Sequence, residues 1–155
     1  MKRRASSAPL LHKCVAAAYG GDDTVLLNRI DPAGILGTAT HKACEQIVLG
    51  EGANTGAIAA EYNLTEPAKI EMIKMVAAFT RWWAENLHRF PDPQVELELE
   101  HDGVTGHVDI IAKTVDTLYV IDIKTTRLED VDYSPQLKTY LWLASKNLHL
   151  VGDRT

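Results

Sequence analysis

The chain has 155 residues, 46% of them apolar and 24% charged, which suits one packed core and argues against a disordered chain. Its formal net charge of −5 is unlike the basic balance of most nucleic-acid binders. Two cysteines, Cys14 and Cys44, exclude a disulfide framework, and no apolar run reaches the roughly 18 residues of a membrane span.

Residues 1–9, with Lys2, Arg3 and Arg4, read as a flexible basic arm. No apolar core of a signal peptide follows, so a cytoplasmic protein is expected, with residues 10–155 as a single domain. Leu10, Leu11, Cys14, Val15 and Ala18 share one helical face, predicting a helix over 10–19 that Gly20-Gly21-Asp22-Asp23 ends. Residues 24–36 read as irregular, with Asp31-Pro32-Ala33-Gly34 as a turn. Thr38 is an N-cap for a helix reaching about Leu49, with Cys44 as a small buried side chain, and Gly50-Glu51-Gly52 stops it.

A long helix is predicted from about Glu66 to His88, with Pro67 in its first turn. Ile70, Ile73, Val76, Ala77, Trp83 and Leu87 form its expected buried stripe. Arg81 with Trp82 and Trp83 can stack on unpaired bases; the plainer reading puts Trp83 in the core, Trp82 at its edge and Arg81 in solvent.

After Pro91-Asp92-Pro93 the period changes from that of a helix to that of a strand. Val95, Leu97 and Leu99 alternate with Glu96, Glu98 and Glu100, and Asp102-Gly103 marks a hairpin turn. A second strand is predicted over about Val104 to Ala112, and a third over Leu118 to Lys124. A helix follows, with Ser134 as N-cap, Pro135 in its first turn, and Leu137, Leu141 and Ala144 inward. Leu148 to Val151 can begin a short fourth strand. The class is thus α/β of an α+β kind, an antiparallel three-stranded meander flanked by helices.

The chemistry concentrates on two strands. Asp122 and Lys124 are two apart, so on a strand they share a face. Antiparallel pairing can set Asp109 beside Asp122. Two bare carboxylates there repel, and a divalent cation such as Mg²⁺ removes that penalty. Lys124 beside it can position a water or offset phosphate charge. The plain alternative for Asp-x-Lys is an ion pair on a solvated strand.

Taken together, Gly37-Thr38-x-x-His41, Gly106-x-x-Asp109, Asp122-Ile123-Lys124-Thr125 and Gln136-x-x-x-Tyr140 resemble the RecB-type branch of the PD-(D/E)XK nuclease superfamily. Ser6-Ser7-Ala8 with Leu11 and Cys14 also resembles phage-encoded members and the CRISPR-associated adaptation nucleases. The resemblance covers roughly residues 6 to 146.

It implies a restriction-endonuclease-like core and a metal-dependent, exonuclease-like deoxyribonuclease in phage recombination, repair or DNA processing, using Mg²⁺ or Mn²⁺. It implies metal ligands His41, Asp109 and Asp122 with the Ile123 carbonyl, and Lys124 as the catalytic lysine. Gln136 and Tyr140 would contact DNA or steady the site. Glu96 or Glu98 would supply the glutamate that the family often places on this strand, and Glu45 could orient His41 or bind metal. The plainer readings are surface charge for the glutamates and a partly buried polar group for His41. Lys42 and Lys138 are candidate phosphate contacts.

Only Cys14 matches the four-cysteine pattern of the CRISPR-associated members, so no iron–sulfur cluster is expected. Relatives usually continue with another strand and helix. An edge left open by a missing strand would invite a second copy or a recombination partner. The alternative function is a non-catalytic nucleic-acid-binding or assembly module that keeps the fold.

Overall fold

The structure is a computed structural model that describes residues 3–4, 32–125 and 132–151. These residues fall into two compact units, one of 32–91 with 123–125, the other of 3–4, 92–122 and 132–151. The helix expected over 10–19, with Cys14, lies outside the described residues, as does most of the 1–9 arm.

The first unit is helical. Helix α1 spans Pro32–Val48 and begins six residues before the expected Thr38. Pro32-Ala33-Gly34, read as part of a turn, is instead the first turn of the helix, where proline's missing N–H costs nothing. Thr38 lies inside the helix, its hydroxyl donating to the Gly34 carbonyl at 3.0 Å. Gly50 and Gly52, at φ 76° and 74°, adopt the left-handed conformation that follows the helix end.

Helix α2, Thr55–Glu61, was not expected. Seven residues are too few for a helical period to show, and Asn54 Oδ1 accepts from Ala57 N at 3.0 Å to cap it. Helix α3 spans Glu66–Asn86 close to its expected bounds, with Thr65 as N-cap and a proline in the first turn.

Ala39 and Ala43 of α1, Ile58 and Ala59 of α2, and Met72 and Val76 of α3 form one core. The stripe expected on α3 is rotated: Met72, Val76 and Trp83 are buried, whereas Ile70, Ile73, Ala77 and Leu87 are exposed. Apolar residues occupy most of the circumference between Ile70 and Phe79, so periodicity admits more than one inward face. The small Ala39 and Ala43 are where Met72 and Val76 pack. Trp83 stacks between Phe79 and Phe90 at centroid distances of 6.0 and 5.6 Å, Trp82 is partly exposed and Arg81 solvated, as the plainer reading expected. Cys44 is fully buried, also as expected.

The second unit carries the sheet: β1 Arg3–Arg4, β2 Gln94–His101, β3 Val104–Lys113 and β4 Leu118–Ile121, followed by helix α4, Ser134–Lys146. The meander β2-β3-β4 is antiparallel as expected, and its Asp102 and Gly103 turn takes φ 49° and 74°. Strand β2 pairs along one edge of β3. The two-residue β1, parallel at Val104–Thr105, and β4, from Ile110 to Lys113, pair with opposite ends of β3.

Strand β4 stops at Ile121, three residues before the expected Lys124. Ile110 pairs with Ile121, so one more step would set Asp109 directly opposite Asp122. Like charges across a ladder are unfavourable, which gives a reason for the strand to end there.

Helix α4 begins one residue from the expected cap. Tyr133 is the N-cap, and Asp132 Oδ1 accepts from Ser134 N at 2.9 Å. Its inward residues are Gln136, Tyr140, Leu143 and Ala144; Leu141 is exposed and Leu137 half-buried, again a rotation from the expected face. Leu148–Leu150 form a 3-10 turn rather than a strand. Leu99, Val108, Ile111, Tyr140, Leu143, Ala144 and Val151 close the core. Among the described residues the class is α+β, as expected, and no helix is long and apolar enough to cross a membrane.

Candidate metal centre

Strand β3 presents Asp109 at a point where regular pairing fails on both sides. Toward β4 the ladder ends at the Ile110–Ile121 pair. Toward β2 the register runs from Gln94–Ile111 and Val95–Ile110 directly to Leu97–Val108, skipping Glu96–Asp109. Because the register is the same before and after, no residue has been inserted. Glu96 has instead turned to φ 51°.

That conformation costs an L-residue about 1–2 kcal/mol. Strand β3 is irregular at the same place. Val108 and Ile111, three residues apart, both belong to the core that α4 covers, although strict alternation would send them to opposite faces.

This distortion gathers carboxylates. Glu96 and Asp109 each offer an oxygen, and these lie within 4.8 Å of one another. Both are half-buried. Glu96 Oε2 is also held by His107 Nε2 at 2.6 Å. By contrast Glu98 and Glu100 are exposed on the same strand, so Glu96 is the glutamate that this unit turns toward Asp109.

Asp122, just past β4, is held from the helix side. Gln136 Nε2 donates to Asp122 Oδ1 at 3.3 Å and to the Tyr140 hydroxyl oxygen at 2.9 Å, spending both amide hydrogens. Gln136 and Tyr140 are 4% and 3% exposed. Burial raises the Tyr140 pKa above its ordinary value; the Gln136 hydrogen bond opposes this, and Asp122 and Asp109 add to it. The Gly106 of the Gly106-x-x-Asp109 motif has a packing reason: a Cβ there would stand 2.8 Å from Leu143 Cδ1 and 3.0 Å from the Tyr140 ring. Glycine lets α4 lie close on β3, which brings Gln136 within reach of Asp122.

Five other expected residues, His41, Lys42, Glu45, Ile123 and Lys124, lie in the helical unit. His41 and Glu45 are half-buried on α1, one turn apart. Lys42 pairs with Glu61 of α2 at 2.7 Å, which raises its pKa. Ile123 is half-buried and Lys124 exposed, both outside any strand, so strand alternation does not govern the direction of Lys124. At Gly37 a Cβ would lie 3.0 Å from Thr125 Oγ1, so glycine leaves room for that side chain. Lys138 is exposed on α4 in the sheet unit.

The oxygens that Glu96 and Asp109 bring together are carboxylate donors, the chemistry that suits hard cations such as Mg²⁺ and Mn²⁺. His107 was not singled out from the sequence. Its bond to Glu96 runs diagonally, since the register pairs His107 with Glu98, and only the register reveals that neighbour.

A family model described as the PD-(D/E)XK nuclease superfamily matches residues 6–154. No curated protein and no solved structure matches the chain.

Proposed function

The chain belongs to the PD-(D/E)XK nuclease superfamily, and on that premise we propose that it is a metal-dependent deoxyribonuclease, exonuclease-like, serving phage recombination, repair or DNA processing. The observation that carries the proposal is the approach of the Glu96 and Asp109 carboxylates to within 4.8 Å at the skipped step between β2 and β3. Unneutralised, such a pair repels.

In this reading Glu96, Asp109 and Asp122 hold Mg²⁺ or Mn²⁺ through oxygen. The sequence resemblance adds His41 and the Ile123 carbonyl as ligands. A divalent cation in such a site polarises a phosphoryl oxygen and lowers the pKa of a coordinated water. Lys124 brings the ammonium that orients the attacking water and offsets charge on the scissile phosphate. Gln136 and Tyr140, buried as they are, position Asp122 rather than touch DNA. Lys42 and Lys138, at the surface, are assigned to phosphate contact. Residues 10–155 act as one nuclease domain, in the cytoplasm, with a second copy or a recombination protein as partner.

The test is degradation of linear single- and double-stranded DNA with Mn²⁺, Mg²⁺ or EDTA, beside Lys124→Ala and Asp122→Ala. Metal-dependent loss of substrate that both variants abolish is the expected result, and the product ladder separates end-trimming from internal cutting. A folded wild-type protein that binds DNA without cutting it under any condition would favour the non-catalytic module instead.

A further inference from the structure

We propose that His107 is a positioning residue for the metal site, holding the Glu96 carboxylate in the orientation in which it takes up a divalent cation with Asp109. The inference rests on the metal-dependent reading above and assigns a residue that the family motifs do not include.

Three observations on one patch of sheet support it. His107 Nε2 lies 2.6 Å from Glu96 Oε2, an ion-pair contact. The partner is not the one that the ladder supplies: His107 is registered against Glu98, whose carboxylate is exposed, yet the contact crosses diagonally to Glu96. And Glu96 is the residue whose backbone leaves the strand conformation, at φ 51°, beside the skipped pairing with Asp109.

A glutamate side chain has three rotatable bonds, and one that is half exposed samples many orientations. A close ion-pair contact at Oε2 narrows that range while leaving Oε1 for a cation. The backbone turn aims the carboxylate, and His107 keeps it aimed. Hydrogen-bonding partners of metal-ligating carboxylates commonly account for 10–100-fold in metal affinity.

His107 is more than half exposed, so its replacement leaves the core untouched. The experiment is calorimetric titration of the full chain with Mn²⁺ at one fixed pH, for wild type, Glu96→Ala, His107→Ala, His107→Gln and the double variant Glu96→Ala/His107→Ala. Thermal unfolding without metal checks each fold. The expected result is about a 10-fold weaker Mn²⁺ affinity for His107→Ala. His107→Gln, which keeps an N–H donor, recovers part of the loss, and His107→Ala adds nothing once Glu96 is alanine.

Three results would overturn the inference. An affinity for His107→Ala within twofold of wild type, with Glu96→Ala clearly weakened, leaves the metal site standing and removes His107 from it. An undiminished effect of His107→Ala in the Glu96→Ala background shows that His107 acts through another group. A wild-type protein that takes up no Mn²⁺ defeats the metal reading itself, and this inference with it.

Discussion

Glu96 and Asp109 occupy the one step at which the register between β2 and β3 is skipped, and there the two carboxylates come within 4.8 Å. A strand that could pair regularly at this step instead holds a non-glycine residue at φ 51°. Strain of this kind persists where the surroundings over-determine it, and it concentrates at functional sites. Replacement of Glu96 separates strain from function. Glu96→Gly should be more stable than Glu96→Ala by about 1 kcal/mol, because only glycine adopts that φ without penalty. Both should lose metal-induced stabilisation. Chemical denaturation of the two variants, with and without Mn²⁺, measures both effects.

Gly106 is the point at which α4 rests on β3. An alanine there would place its Cβ 2.8 Å from Leu143 Cδ1 and 3.0 Å from the Tyr140 ring. Gly106→Ala should destabilise the protein by about 1–3 kcal/mol, the usual cost of overpacking a filled core. Activity should fall further than stability alone explains, since the displaced helix carries Gln136. Comparing the shift in denaturation midpoint with activity at a temperature where both proteins are folded tests this.

Gln136 holds Asp122 and Tyr140 with a single nitrogen. Gln136→Leu keeps the volume and apolar packing but removes the donor. Asp122 is then expected to reorient, so the Mn²⁺ concentration for half-maximal stabilisation in a thermal-shift titration should rise several-fold. An unchanged midpoint would show that Asp122 is held by other groups.

Tyr140 titrates above its ordinary value, chiefly because it is buried, with Asp122 and Asp109 also disfavouring the phenolate. The folded state therefore keeps a proton that the unfolded chain releases first. Its contribution to stability is complete below the unfolded pKa of about 10 and is lost as pH rises through the folded value. Stability should fall with pH in that alkaline range, less steeply in Tyr140→Phe than in wild type. Denaturation curves of the pair between pH 9 and 11 read the difference.

Met72 is fully buried in the helical unit, in the core that includes Ala39 and Ala43. Met72→Ala should cost about 2–5 kcal/mol. Ile73→Ala, at the neighbouring exposed position, should cost well under half of that. The contrast, read by urea denaturation, tests which face of α3 is inward.

The sequence by itself determined the elements whose signals are local. The alternation of Val95, Leu97 and Leu99 specified β2, Asp102-Gly103 specified the hairpin, and Pro67 marked the start of α3, because strand period, turn chemistry and helix capping depend on residues a few positions apart. The motif spacing also pointed to Asp109, Asp122 and Gln136, and to the family that the chain matches. Tertiary structure decided what depends on distant neighbours. The faces expected inward on α3 and α4 were partly the wrong ones, because apolar residues surround much of each helix, and packing against Ala39 and Ala43, and against Gly106, made the selection. The end of β4 at Ile121 and the turn at Glu96 lie where carboxylates face each other across a ladder, a relation that exists only once the strands are paired. For the same reason His107 became visible as the partner of Glu96 only in the folded sheet: its nearest neighbours in sequence say nothing about what lies diagonally across it.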